Sequence, residues 1–522
     1  MIKILLTIPW LFYMFYRTKK ALHMLQQNLY DADFRYLKWI KNNFNKIMLS
    51  FELSQILLIF FILYVKESVV ISILFVIIYI LLFIRSFARN HNEVVKKPLV
   101  VTARIKRLLL TTFIIYGLSI YFLYFRLNIN YYLILTIMAY LQYFIILITV
   151  KINIPVEKCI FLSFKGKAMK KLHGMTNLKV IGITGSYGKT SSKNILNDIL
   201  NIKYNALPTP RNLNTPYGLI MTINNNLDKF DDIFIAEMGA YKIGEIQELC
   251  DLVHPKYGIL TRIGTAHLEL FGSQENIQKG KFELIESLPS DGVAVLNCDD
   301  PLQVNYKLKN KVKTLWIGID NEADFMATNI KVSSKGTTFD LVVKGDKNKY
   351  KFETKLLGYA NIYNILSSLA LGYEFKISIS ELQSAVKRVK PVEHRLEIKK
   401  NGDIYYIDDA YNSNPVGSKM ALDVLNLMPG KKIVVTPGMI ELGSIEDESN
   451  EKFGEYIADV SDEVILIGKK QTHAIQKGLK NKNYSDKHIH ILENVIDAFP
   501  LVNKLKDDET YVLLENDLPD IF

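Results

Sequence analysis

Cysteine is scarce in this chain: Cys159, Cys250 and Cys298 are the only three, and their wide spacing forms no metal-type pair. That excludes a disulfide-stapled scaffold and a cysteine zinc site, and fits reduced thiols serving as small core residues. Internal repeats, low-complexity linkers and nucleic-acid motifs are also lacking. The formal net charge of +11 therefore gives no reason to expect a nucleic-acid partner, since much of the excess falls in loops that a membrane explains. Long apolar runs are missing after about Lys151 and frequent before it. A chain of 522 residues is too long for one core and should hold about three domains.

Five apolar runs occupy the N-terminal part: Ile2 to Tyr16, Leu53 to Val65, Val69 to Ile84, Leu108 to Phe125 and Tyr131 to Val150. Only the last two approach the roughly 20 residues that a bilayer core asks of a helix. Charge placement carries more information. The stretch Arg17 to Ser50 holds seven Lys/Arg and Arg85 to Arg107 seven more, while Lys66-Glu67-Ser68 and Arg126 to Asn130 hold one each. The positive-inside rule then predicts five spans, with the N-terminus outside and everything after Lys151 in the cytoplasm. Arg17-Thr18-Lys19-Lys20 follows the first run without a small-residue cleavage site, which argues against a signal peptide.

After Leu178, short β-rich runs alternate with helical patterns. Val180-Ile183, Ile233-Ala236, Tyr257-Leu260, Val293-Asn297 and Thr314-Ile317 read as strands of a doubly wound α/β sheet. Thr338-Val343 and Tyr350-Lys355 flank Gly345-Asp346-Lys347 as a hairpin. A second α/β series begins at Ile404-Ile407 and continues through Lys432-Thr436, Glu463-Ile467, His488-Leu492 and Thr510-Leu514. The expected division is a membrane region over 1–151, a P-loop-type doubly wound domain over 152–390 and a Rossmann-like α/β domain over 391–522.

The densest chemistry is at Val180 to Ser192, where an apolar strand enters a glycine turn, Gly185-Ser186-Tyr187-Gly188-Lys189-Thr190-Ser191, that opens a helix. Glycines let backbone N–H groups turn onto an anion, the helix adds its N-terminal dipole, Lys189 a mobile cation, and Thr190 a hydroxyl for Mg²⁺. Ile183 stands where the longer form of this motif has its first glycine, so the loop is a shortened variant. Downstream, Glu237 ends a buried strand beside Gly239, where an open α/β sheet places ligands. Taken alone, Glu237 also suits a solvated strand end, His267 a structural histidine and Lys281 a surface lysine.

Together these spacings resemble the Mur ligases, ATP-dependent ligases of the bacterial cell-wall peptide, over roughly Pro155 to the C-terminus. The resemblance implies ATP and Mg²⁺, with Gly185 to Ser191, Asn361, Arg395 and Asp409 binding the nucleotide. Thr190, Glu237, His267 and a carbamylated Lys281 would hold metal, and Lys189, His267, Lys281 and Arg395 would carry the catalytic roles. Asn212 and Asn214, and the segment Asp408 to Pro415 with Tyr411, Asn412 and Asn414, fall on the substrate side. Among the branches of the family, Ala266 to Ser273, Lys281 to Pro289 and Asp408 to Pro415 look most like the D-alanyl-D-alanine-adding one. The implied chemistry phosphorylates a peptide carboxylate of a peptidoglycan precursor to an acyl phosphate, which an amino acid or D-alanyl-D-alanine then attacks through its amine.

Four positions depart from the pattern. Ala360 and Asn450 replace histidines, Glu515-Asn-Asp-Leu-Pro-Asp520 replaces a Lys-Gly-Ser loop, and the membrane region takes the place of a small UDP-binding domain. The acceptor is accordingly open between UDP-linked and lipid-linked peptide, with membrane lipid as a further partner. A folate-adding ligase would share the ATP parts but match Asp408 to Pro415 less well. A scaffold or transporter would show charge within its spans, and they hold almost none.

Overall fold

The computed structural model describes residues 5–65, 69–92, 98–410, 413–440, 442 and 445–516. Lys66-Glu67-Ser68, Tyr411, Asn412, Glu441, Gly443 and the end of the chain from residue 517 lie outside them. The chain forms two compact units, Met1–Ser163 and Phe164–Leu518.

In the first unit, helices α1 (Ile8–Gln27), α2 (Leu53–Tyr64), α3 (Val69–Asn92), α4 (Ala103–Ile120), α5 (Tyr131–Tyr140) and α6 (Gln142–His173) follow in order. The domain boundary expected at 151 falls inside α6, which continues through Pro155. Large apolar side chains such as Leu57, Phe113 and Phe125 face outward, while Tyr13, Phe75 and Tyr79 are fully enclosed. Among the described residues two helices are long and apolar enough to cross a membrane, Val69–Asn90 and Ala103–Arg126. A third arises if α5 and α6, bent by 79°, count as one span. The five expected runs thus reduce to two or three. The reasons are local: α2 has 12 residues, about 18 Å, and the first run, from Ile8 on, lies in α1, which continues through Arg17, Lys19 and Lys20.

Arg17 also departs from the expected basic loop. Its buried guanidinium donates to Tyr13 Oη at 2.9 Å, to the Tyr140 carbonyl at 3.0 Å and to the Ile47 carbonyl at 3.1 Å. Glu52 faces it at 3.5 Å. Both terminal nitrogens are thus met and a carboxylate faces the charge, while Nε is buried without a hydrogen-bond partner; burying an arginine demands such partners.

The second unit holds two sheets. The larger contains β1 (Lys179–Thr184), β2 (Ala206–Pro208), β3 (Ile233–Glu237), β4 (Tyr257–Leu260), β5 (Val293–Asn297), β6 (Lys313–Gly318), β7 (Phe325–Ser333), β8 (Gly336–Val343) and β9 (Lys349–Thr354). Its spatial order is β2-β3-β1-β4-β5-β6-β7-β8-β9. Strands β1 to β7 run parallel, and β8 and β9 each reverse direction. The runs read from sequence are present. The unanticipated strands are β2, only three residues long and ending at Pro208, and β7, whose polar pattern is interrupted by a register shift between Thr328 and Lys331. The sheet is therefore mixed, with a parallel core extended by an antiparallel meander.

Because β1 is flanked by β3 on one side and β4 on the other, the chain reverses its winding there. That reversal opens a crevice beyond the carboxyl ends of the strands. Helices α7 (Lys189–Leu200), α8 (Gln274–Glu286) and α9 (Gly358–Glu374) cover the sheet, and Ile195, Leu196 and Ile199 of α7 interdigitate with Ile365, Leu366 and Leu369 of α9 in one core.

The smaller sheet contains β10 (Glu397–Asn401), β11 (Ile404–Asp409), β12 (Lys431–Thr436), β13 (Glu463–Ile467), β14 (Ile489–Leu492) and β15 (Thr510–Glu515), ordered β10-β11-β15-β12-β13-β14. Only β10 pairs antiparallel. Helices α10 (Pro415–Asn426) and α11 (Glu446–Val460) pack their apolar faces on it.

Candidate active site

The loop after β1 is shaped by two glycines. Gly185 has φ +147° and a Cβ there would overlap Thr261 Oγ1, while Gly188 has φ +82° and caps α7 in the left-handed region. Only glycine lets the backbone pass so close to β4 and turn into the helix. The Arg262 carbonyl accepts from the Ser186 N–H at 2.9 Å, which pins the loop to the end of β4. Lys189 folds back, its Nζ 2.7 Å from the Gly185 carbonyl and 3.2 Å from that of Ser186. Desolvation lowers its ammonium to about 8, opposed by Glu237 and reinforced by Arg395. An anion in the loop would give Lys189 a better partner than these carbonyls.

Glu237 is 1% exposed at the carboxyl end of β3. Its Oε1 accepts from Thr190 Oγ1 at 3.2 Å and from Asn214 Nδ2 at 3.1 Å. Its Oε2 accepts from Lys193 Nζ at 2.9 Å. Asn214 is fixed in turn by its carbonyl, which accepts the Gly239 N–H at 2.8 Å, and a Cβ at Gly239 would lie 2.8 Å from Asn214 Cγ. Asn212 is exposed on the same loop.

The other two expected metal ligands touch the segment that follows Glu237. The Ala240 carbonyl accepts from Lys281 Nζ at 3.4 Å, and the Tyr241 ring meets that of His267 edge-on at 4.6 Å. Lys281 is 2% exposed, with Phe271 beneath its ammonium. Burial, with Lys189 nearby, lowers it to about 7. His267 holds φ +62°, a strained backbone for a residue other than glycine. Among the described residues no group of three or more His, Cys, Asp or Glu side chains is placed to hold a metal ion. The oxygens of Thr190 and Glu237 do fit a small hard cation, which takes one or two carboxylates, phosphate oxygens and water. Lys281 would join such a set only as a carbamate, and its neutral amine is the form that carbon dioxide modifies.

A cleft lies where the two sheets of this unit meet. Tyr187, Gly188, Ser191 and Asn361 line one wall, and Arg395, Asp409 and Asn414 the other. Asn361 donates to the Leu357 carbonyl at 2.9 Å, and Ala360, in place of the expected histidine, also lines the wall. Asp409 Oδ1 accepts the Leu396 N–H at 3.2 Å, and burial lifts its carboxyl to about 6 against the pull of Arg395. Glu515, paired in register with Asp409, is held well above the carboxylate range by burial and by that neighbour. Asn414 caps α10, its Oδ1 accepting the Gly417 N–H at 2.9 Å, so its carboxamide has a structural duty as well as a place in the wall.

Residues 183–372 match the Mur ligase middle domain, and residues 394–514 match the Mur ligase glutamate ligase domain. The UDP-N-acetylmuramoyl-tripeptide--D-alanyl-D-alanine ligase of Buchnera aphidicola subsp. Acyrthosiphon pisum is 31% identical over 338 residues, 61% of this chain and 73% of that protein. The chain belongs to the Mur ligase family. The Mur ligases of the same name from Bacillus subtilis and Escherichia coli are each 33% identical, over 58% and 57% of this chain. The chain spans less than two thirds of their length, 65% and 66%. The MurF ligase of Thermotoga maritima in complex with ADP aligns at TM-score 0.61 and 26% identity, covering 68% of this chain and 80% of that one. Acinetobacter baumannii MurF shares the fold at TM-score 0.62 and 24% identity, over 68% and 77% of the two chains.

Sequence reasoning passed over several residues of this Mur ligase site. Lys193 was one, although it lies four residues after Lys189 on the buried face of α7. Arg262, Tyr363 and Asn364 line the cleft as well. Asn450, which replaces a histidine, clamps the loop before α11: its Nδ2 donates to the Met439 carbonyl and its Oδ1 accepts the Met439 N–H, both at 2.8 Å.

Proposed function

We propose that this chain is an ADP-forming ligase of cell-wall precursor synthesis, joining D-alanyl-D-alanine to a muramoyl tripeptide. The observation that carries the reading is one cleft bounded by the glycine loop at Gly188 and by Arg395 and Asp409 from the second sheet, with Glu237 and Thr190 at the loop mouth. ATP in that cleft would lay its phosphates on the loop N–H groups, and Lys189 would leave the Gly185 carbonyl to pair with them. Arg395 would offset charge on the transferring phosphoryl group from the opposite wall. Mg²⁺ at Thr190 and Glu237 would supply further neutralisation. Asn214, locked between Glu237 and Gly239, would orient the acceptor so that its carboxylate meets the γ-phosphate and the resulting acyl phosphate meets the incoming amine. No protein nucleophile is required.

We infer that the helical unit holds the ligase at the cytoplasmic membrane with both sheets in the cytoplasm. Two helices of sufficient length and the basic stretches Arg17 to Ser50 and Arg85 to Arg107 support this. The same unit stands where a nucleotide-sugar domain is expected, which favours a lipid-linked tripeptide as an alternative acceptor. ADP release with D-alanyl-D-alanine and either the UDP-linked or the lipid-linked tripeptide separates the two. Lys189→Ala is expected to abolish release with both, and retained activity would refute the reading. Undiminished turnover of the UDP-linked substrate after deletion of residues 1–150 would remove the lipid-linked alternative.

A further inference from the structure

Lysine is among the residues least often fully buried without a partner, yet Lys193 is 1% exposed at the edge of the proposed cation site. It gives one hydrogen to Glu237 Oε2 at 2.9 Å and another to the Arg211 carbonyl. The two Glu237 oxygens are thereby divided. Oε2 faces the ammonium, and Oε1 faces Thr190 and Asn214 at the loop mouth. The segment Arg211 to Asn214 is held at both ends, by Lys193 at Arg211 and by Glu237 at Asn214.

We propose that Lys193 is the positioning residue of the Glu237 site: a fixed internal counter-charge that aims Oε1 at the loop mouth, keeps a divalent cation from settling there without nucleotide, and anchors the Arg211–Asn214 segment. This rests on Glu237 being a cation ligand. Glu237 and Lys193 cancel in net charge, and Lys189 leaves the empty loop positive, so a bare divalent ion meets no net attraction. Phosphates arriving in the loop reverse that balance and bring the cation with them. Lys193 suits the task because a compact ammonium can meet two acceptors on neighbouring segments while shielded from water.

The test is Mn²⁺ binding to the full chain, followed by the electron-spin signal of the free ion, with and without a non-hydrolysable ATP analogue. Wild type is expected to bind Mn²⁺ with the analogue and only weakly without it. Lys193→Met should bind bare Mn²⁺ at least about tenfold more tightly, since an ammonium beside the carboxylate has been removed. Lys193→Arg should behave as wild type, and adding Glu237→Gln to Lys193→Met should erase the gain. Wild type that binds no Mn²⁺ even with the analogue would refute the cation site itself. Binding with the analogue but no gain in Lys193→Met would refute the role of Lys193 alone. Should Lys193→Met fold poorly, melting decides: the uncharged pair Lys193→Met/Glu237→Gln is expected to recover thermal stability, and failure to recover would overturn the pairing.

Discussion

Replacing Lys281 by methionine isolates what its burial costs. The ammonium is lowered from 10.5 to about 7 in the folded protein. The folded state therefore gives up this proton at lower pH than the unfolded chain does, and between these values the unfolded chain binds more protons. Stability must rise with pH across that window. Each unit corresponds to about 1.4 kcal/mol, so the group accounts for an upper bound of roughly 5 kcal/mol between neutral and strongly alkaline pH. Lys189, lowered to about 8, adds a slope of the same sign that persists in the variant. The methionine fills a similar volume and does not titrate. The difference in unfolding free energy, wild type minus Lys281→Met, is therefore expected to climb by about 1.4 kcal/mol per pH unit above neutrality. Urea unfolding followed by Trp316 fluorescence reads it, with Trp10 and Trp39 replaced by phenylalanine so that the only remaining tryptophan lies on β6. Parallel wild-type and variant curves would show that the ammonium is not desolvated and would remove the physical basis for a neutral, carbon-dioxide-reactive Lys281.

Gly185→Ala forces a side chain into Thr261 at φ +147°, a strain of order 1–3 kcal/mol; it should weaken the melting shift induced by ADP by about tenfold in concentration. Glu515→Gln is expected to stabilise the protein at neutral pH, because burial and mutual repulsion raise both carboxyls, so the proton-bound folded state is favoured and stability is lost as pH rises, for Asp409 through about 6. Melting curves from acidic to neutral pH should be flatter in the variant, and an unchanged profile would exclude repulsion between Asp409 and Glu515. Asn450→Ala strands the buried Met439 N–H and carbonyl at a cost of about 2–4 kcal/mol, which denaturant titration of the full chain measures.

Strands β1 and β3 to β6 were legible because each is a short apolar run between glycines or polar turns, and the loop at Gly185 to Ser191 because its glycines and lysine fall at fixed offsets. Glu237 stood out by its place at the end of a buried strand, whereas Asn361, Arg395 and Asp409 could be placed only through resemblance, since nothing in their local sequence distinguishes a ligand from a solvated side chain. Lys193 was hidden for the opposite reason. A lysine on a helix is usually exposed, and its burial depends on Glu237, a partner 44 residues away. Strand β7 was missed because its burial alternates with exposure around a bulge at Asn329, so it reads as polar. The helical unit misled most where hydropathy was read in isolated windows: α1 carries Arg17 inward because Tyr13, Tyr140 and Glu52 meet its hydrogens, and no window records such partners.

The central position of β1 has a consequence for how the molecule is made. The meander from β7 to β9 joins neighbours in sequence, whereas β1 finds its partners at Ile233 and Tyr257, and closing such long loops is the slow part of assembling a sheet. A chain emerging from the ribosome carries the glycine loop long before the strands that hold it in shape. On the proposed reading a nucleotide site is therefore complete only late: β4 sets Thr261 and Arg262 against the loop, and Arg395 and Asp409, which close the cleft, are made later still.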